Sequence, residues 1–114
     1  MAQTPTLTQA QLGTSAAAIV TAASGERLYI SKVVVCNTAA GARTYSLWAV
    51  PPSQTAGNAR ALVLNRQLGA SGSVTATEDV REVAGLVLDS GWSLQGAASV
   101  ASSVTIHVQA VMIT

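Results

Sequence analysis

The chain predicts an all-β fold, an antiparallel β-sandwich or jelly roll of about seven or eight strands behind a polar N-terminal arm. Three observations carry that prediction. Short segments rich in Val, Ile, Leu, Thr and Tyr recur about every ten residues, with Gly, Pro, Asn, Asp and Ser between them. The closing segment, Val104 to Ile113, sets Val104, Ile106, Val108, Ala110 and Met112 on one face. Thr105, His107 and Gln109 occupy the other face, until Val111 and Ile113. No segment sustains the 3.6-residue apolar period of a helix. The 114 residues have room for one domain, read as an arm over residues 1–13 and a sandwich over 14–114.

In order, the arm is Thr- and Gln-rich with Pro5, and holds at most a short strand from Leu7 to Leu12. Ala16 to Ala22 is a strand because Ile19-Val20-Thr21 is β-branched. Ser24-Gly25 turns the chain into Leu28 to Cys36, a strand with apolar residues on both faces. This suits a central position, and a bulge near Ser31-Lys32 would account for its broken alternation. Asn37 to Gly41 reads as the turn of a β-hairpin whose second strand, Ala42 to Val50, stops at Pro51-Pro52. Pro51 to Asn58 is an exposed loop. Arg60 to Leu68 returns as a strand with Leu62 and Leu64 on one face. A further strand is expected within Ser73 to Val83, with Val74 and Ala76 alternating against Thr75 and Thr77. Asp89-Ser90-Gly91 is a tight turn, Trp92 to Gly96 a strand, and Ala97 to Ser102 a loop.

Composition restricts the function. The core has to be built from small side chains, since there is no Phe and only two Trp and two Tyr. Each such side chain removes little apolar area, at about 25 cal/mol per Å2, so oligomerisation or docking is expected to add stability. The six Lys and Arg are scattered and the net charge is +1, so no nucleic-acid partner is expected. No apolar run approaches the roughly 20 residues of a membrane helix, and the opening residues lack the charged and apolar regions of a secretory leader. Cys36, the single cysteine, reads as a small buried hydrophobe.

A catalytic or metal site is not expected. His107 is the single histidine, and a Ser-His-Asp grouping with Asp79 or Asp89 has no nucleophile elbow to support it. One Cys and one His cannot supply the common zinc ligand sets. Glu78, Asp79 and Glu82 lack calcium-loop spacing and read as a solvated turn. The chain is therefore read as a non-enzyme with no cofactor.

The residues carry a resemblance. Thr-Ser-Ala-Ala-Ala-Ile-Val-Thr-Ala (14–22), Ile-Ser-Lys-Val-Val-Val-Cys-Asn-Thr (30–38) and Ser-Leu-Trp-Ala-Val-Pro (46–51) follow one another in that order. A Gly- and Ala-containing loop comes next, then Leu-Asp-Ser-Gly-Trp-Ser-Leu (88–94) and the alternating last strand. This order resembles small β-sandwich virion proteins of tailed bacteriophages, over about residues 12–114. Trp92 stands where those proteins usually carry Asp. The resemblance implies a non-enzymatic structural protein of the virion, first a head decoration (cement) protein stabilising the capsid through oligomeric contacts. The implied partners are other copies of the chain, as a trimer or dimer, and the major capsid protein or other virion proteins. The alternative is a tail- or fibre-associated module that binds a host surface glycan. For that reading the contact candidates are the aromatic residues Tyr45, Trp48 and Trp92, with Gln54 and Asn58 of the 51–59 loop.

Overall fold

The computed structural model describes residues 3–113, Thr4 by its backbone alone. Residues 1 and 2 of the expected arm, and residue 114, lie outside the described residues. Among the described residues there are nine strands where the sequence predicts about seven or eight: β1 (Gln3–Gln11), β2 (Ala17–Thr21), β3 (Arg27–Asn37), β4 (Arg43–Val50), β5 (Ala61–Leu68), β6 (Thr77–Asp79), β7 (Val87–Leu88), β8 (Ser93–Ala98) and β9 (Val104–Ile113). One 3-10 turn, Asn58–Arg60, precedes β5.

The strands make two antiparallel sheets. The first runs β1-β9-β3-β6, with β7 also on β3, and the second runs β2-β8-β4-β5. Successive strands switch between the sheets except from β4 to β5 and from β6 to β7, and the two orders are those of a jelly roll in which one strand position is divided between β6 and β7. The faces turned toward each other carry Ile30, Val33, Val35, Ile106 and Val108 from the first sheet, against Tyr45, Leu47 and Leu94 from the second. Space there is tight. A Cβ on Gly96 of β8 would lie 2.9 Å from Ile19 Cδ1 and 3.0 Å from both Leu12 Cδ2 and Leu47 Cδ2.

Several expectations need correcting. β3 and β4 do not form a hairpin, because β3 belongs to the first sheet and β4 to the second. Both sides of β3 are already taken, by β9 and by β6 with β7, so β4 has no edge to join. The connection instead arches across the sandwich around the buried Asn37. Its Nδ2 donates to the carbonyls of Gly41 and Gly69, each at 2.9 Å, and its Oδ1 accepts from the Ala39 N–H at 2.9 Å. The Asn that reads as a turn former is thus the pin of a crossover.

The bulge in β3 is present between Ile30 and Lys32. It switches the inward set from Leu28 and Ile30 to Val33, Val35 and Asn37. The same switch leaves Cys36 half-buried on the outer face rather than in the core. β5 carries two register shifts against β4, and Asn65 there adopts φ 48°. Val63 consequently points inward while Leu64 is exposed, so Leu62 and Leu64 do not make the core face.

The strand expected within Ser73 to Val83 shrinks to Thr77–Asp79. Val74, 98% exposed, sits in a turn and contributes nothing to the core. β8 extends through Ala98, into the stretch expected as a loop. At the N-terminal end, β1 is nine residues long and pairs with β9 along its whole length, well beyond the short strand at Leu7 to Leu12.

Every sheet edge is interrupted. β1 contains Pro5, β2 shifts register between Ala18 and Val20, β5 is bulged, and β6 and β7 are three and two residues long. These are the features that discourage edge-to-edge pairing between molecules.

Candidate functional site

Two surfaces stand out, one on the outside of each sheet. On the first sheet, Pro5 of β1 faces Val111 of β9, Val111 faces Tyr29 of β3, and Tyr29 faces Val87 of β7. Paired residues share a face, so these four side chains form one row across four strands. The row points away from the core, since the neighbouring residues Leu28, Ile30, Leu88 and Ala110 are the buried ones. Tyr29 is 39% exposed and Val87 47%, and Leu7, next along β1 on the same face, is 71% exposed. An apolar row on an outer sheet face marks a contact surface more than a scatter of single residues would.

On the second sheet, the outward residues Thr44, Ser46 and Trp48 of β4 alternate with the inward Tyr45 and Leu47. With Ala97 of β8 and Ser99 they floor a cleft of about 410 Å3. Asn58, from the 3-10 turn, and Leu64 and Asn65, from the bulged part of β5, form one wall, and Thr14 contributes from the opposite side. The β5 bulge shapes that wall. The Asn65 N–H donates to Ser46 Oγ at 2.9 Å, and Ser46 Oγ donates to Asn65 Oδ1 at 3.4 Å. Thr44 is held to Ser99 by two bonds, Thr44 N–H to Ser99 Oγ at 3.1 Å and Ser99 N–H to Thr44 O at 2.9 Å. The indole Nε1 of Trp48 is buried and has no acceptor among the described residues.

Of the residues expected to make contacts, the structure brings Trp48 and Asn58 to this one cleft; Tyr45 borders it, but its ring points inward and is buried, so it offers no contact surface there. Gln54 and Trp92 do not line it. The Gln54 Oε1 accepts from Arg60 Nη2 at 3.3 Å in the loop. Trp92 packs against the core cluster, its N–H bonded to Asp89 O at 3.0 Å and its carbonyl to the Ala22 N–H at 2.9 Å. The sequence reading missed Thr14, Thr44, Leu64, Asn65 and Ser99, whose proximity depends on strand order and on the β5 bulge. It also missed the apolar row, although one signal was visible: β9 loses its polar alternation at Val111 and Ile113.

A third feature joins the sheets. The Tyr45 hydroxyl donates to Glu78 Oε1, and Arg66 Nη1 reaches the same oxygen at 3.2 Å and Glu82 Oε1 at 3.0 Å. Arg66 Nη2 bonds Glu82 Oε2 as well. Burial, then the Glu78 carboxylate, pushes the Tyr45 phenol well above its ordinary range. The Arg66 hydrogen bonds hold the Glu82 carboxyl down, to about 2. The acidic cluster that reads as a solvated turn is therefore partly a clasp. It closes the side of the sandwich where the edge strands β5 and β6 lie. His107 stands apart on the outer face of the first sheet, with Val34 between it and Asp79 in the register.

Comparison of the chain with protein-family models, with curated proteins and with solved structures finds no match. No helix among the described residues is long and apolar enough to cross a membrane.

Proposed function

We propose that this chain is a non-enzymatic structural protein of a bacteriophage virion, seated on the head as a decoration protein in dimeric or trimeric copies. The observation that carries the reading is the apolar row Pro5–Val111–Tyr29–Val87 on the outer face of the first sheet, extended by Leu7. Its chemistry suits a permanent contact, being apolar along the row and laid across a rigid sheet, with Arg27 and Lys32 in the register rows on either side. The interrupted sheet edges favour contact through a face over strand addition. The quoted segments that resemble phage virion proteins agree with this, and jelly rolls serve in capsids, although that last point is analogy of fold alone. Binding only to the assembled shell would stabilise the shell by mass action.

The test is binding of purified chain to virions that lack it. The wild type is expected to saturate a fixed number of sites per head. Tyr29→Asp and Val87→Asp place a charge on the row without touching the core, and each is expected to weaken binding at least about tenfold, or 1.4 kcal/mol. Full-strength binding by both folded variants would remove the row from the contact.

A further inference from the structure

We infer that the cleft on the second sheet is a binding site for a neutral saccharide unit. Thr14, Thr44, Ser99, Asn58 and Asn65 supply hydroxyl and amide groups, Trp48 supplies an aromatic ring, and no charged side chain is present. That combination suits a ligand that is uncharged, dense in hydroxyls and apolar on one ring face, and a pyranose has all three properties. Asn and Thr can both donate to and accept from a sugar hydroxyl, and the indole can cover the C–H face of the ring. A carboxylate or phosphate would find no cation in the lining, and a purely apolar ligand would strand the amides. The volume of about 410 Å3 falls in the range of small-molecule sites.

The wall is also built in advance. Asn65 is held in a left-handed conformation, φ 48°, and tied to Ser46 from both its backbone and its side chain. With Oδ1 engaged by Ser46, the Asn65 Nδ2 is left to donate. Fixing a polar group before binding reduces the ordering that binding requires.

The cleft and the apolar row lie on opposite sides of the sandwich. A chain seated by the row would therefore turn the cleft outward, toward a cell surface. The binding inference does not rest on that seating, and each can fail alone.

The experiment is an NMR titration of the full 15N-labelled chain with glucose, galactose, mannose and N-acetylglucosamine, with glucuronate as an anionic control. At least one neutral sugar is expected to shift the Trp48 indole N–H saturably, with Kd in the range of about 1–10 mM usual for a single small polar ligand, while the Trp92 indole stays in place. Asn58→Ala, at an exposed position outside the sheets, is expected to weaken binding about five- to tenfold with the spectrum otherwise retained. Trp48→Ala is expected to abolish binding, and Gln54→Ala to leave it unchanged. No shift at Trp48 with any neutral sugar overturns the proposal. So does affinity unaffected by Asn58→Ala, or binding of glucuronate alone. Particle binding lost in Tyr29→Asp with sugar shifts retained would show the two surfaces to be independent, and sugar shifts absent with particle binding intact would refute only the cleft.

Discussion

The Tyr45 hydroxyl, on the second sheet, donates a hydrogen bond to Glu78 on the first, and together with the Arg66–Glu78 pair it ties the two layers of the sandwich at the edge of the core. The ring is 1% exposed and its hydroxyl reaches the charged Glu78–Arg66–Glu82 group. In a core without Phe this is the largest fully buried side chain, and its polar end has to find a partner.

Tyr45→Phe keeps the ring and removes the bond. Glu78 retains Arg66, so the carboxylate is not stranded, and the loss is expected to be about 1–2 kcal/mol in urea unfolding. Tyr45→Ala adds a cavity and is expected to lose about 3–5 kcal/mol. Equal stability of Tyr45→Phe and wild type would mean that the Tyr45–Glu78 bond contributes nothing.

The clasp also gives the fold a pH dependence. Glu82 is held down to about 2 in the folded chain against an ordinary 4.5, so its contribution is complete above 4.5 and disappears as pH falls through 2. Because the Glu82 side chain is 42% exposed, solvent screens the pair and the contribution is about 0.5–1 kcal/mol. At the alkaline end Tyr45, whose folded phenol is pushed up, stabilises the fold fully below the ordinary value of 10.0 and progressively less above it. Thermal melts of wild type and Glu82→Gln should differ at neutral pH and converge near pH 2. Melts of wild type and Tyr45→Phe should converge as pH rises above 10.

Asn37→Ala tests the crossover pin. The substitution removes three hydrogen bonds from a buried position and leaves the carbonyls of Gly41 and Gly69 and the Ala39 N–H without their partner. The expected loss is about 3 kcal/mol, seen as a lower urea midpoint. Asn37→Asp can keep the bond from Ala39 but not the two donated bonds, and should fall at least as far.

Gly96→Ala tests packing rather than backbone freedom. The added methyl meets Ile19 Cδ1 at 2.9 Å, and a loss of about 1–3 kcal/mol is expected. Ile19→Val deletes that atom. The double variant should recover part of the loss, a coupling that a double-mutant cycle on chemical denaturation would measure.

Much of this architecture was legible in the chain. β9 could be read to the residue because one face is core and the other solvent, which produces clean alternation. The β3 bulge was visible as a break in parity at Ser31-Lys32. The arch after Asn37 was not. A five-residue Asn- and Gly-containing segment is compatible with a hairpin or a crossover, and the choice depends on which strands occupy the edges of β3. The candidate cleft was half legible for the same reason. Trp48 and Asn58 stand out by type, whereas Thr44, Asn65 and Ser99 acquire meaning only once β4, β5 and β8 are neighbours. The clasp was hidden because Arg66 and Glu82 look like ordinary surface charges until β5 and β6 face each other.

The most direct test of the proposed assembly role is gold-labelled antibody against this chain, applied to intact particles released by the cells that produce it and imaged by electron microscopy. The account predicts label in many copies spread evenly over the head, and its loss when Tyr29→Asp replaces the wild type. Label on no particle would contradict it, and label confined to the tail would move the contact away from the head.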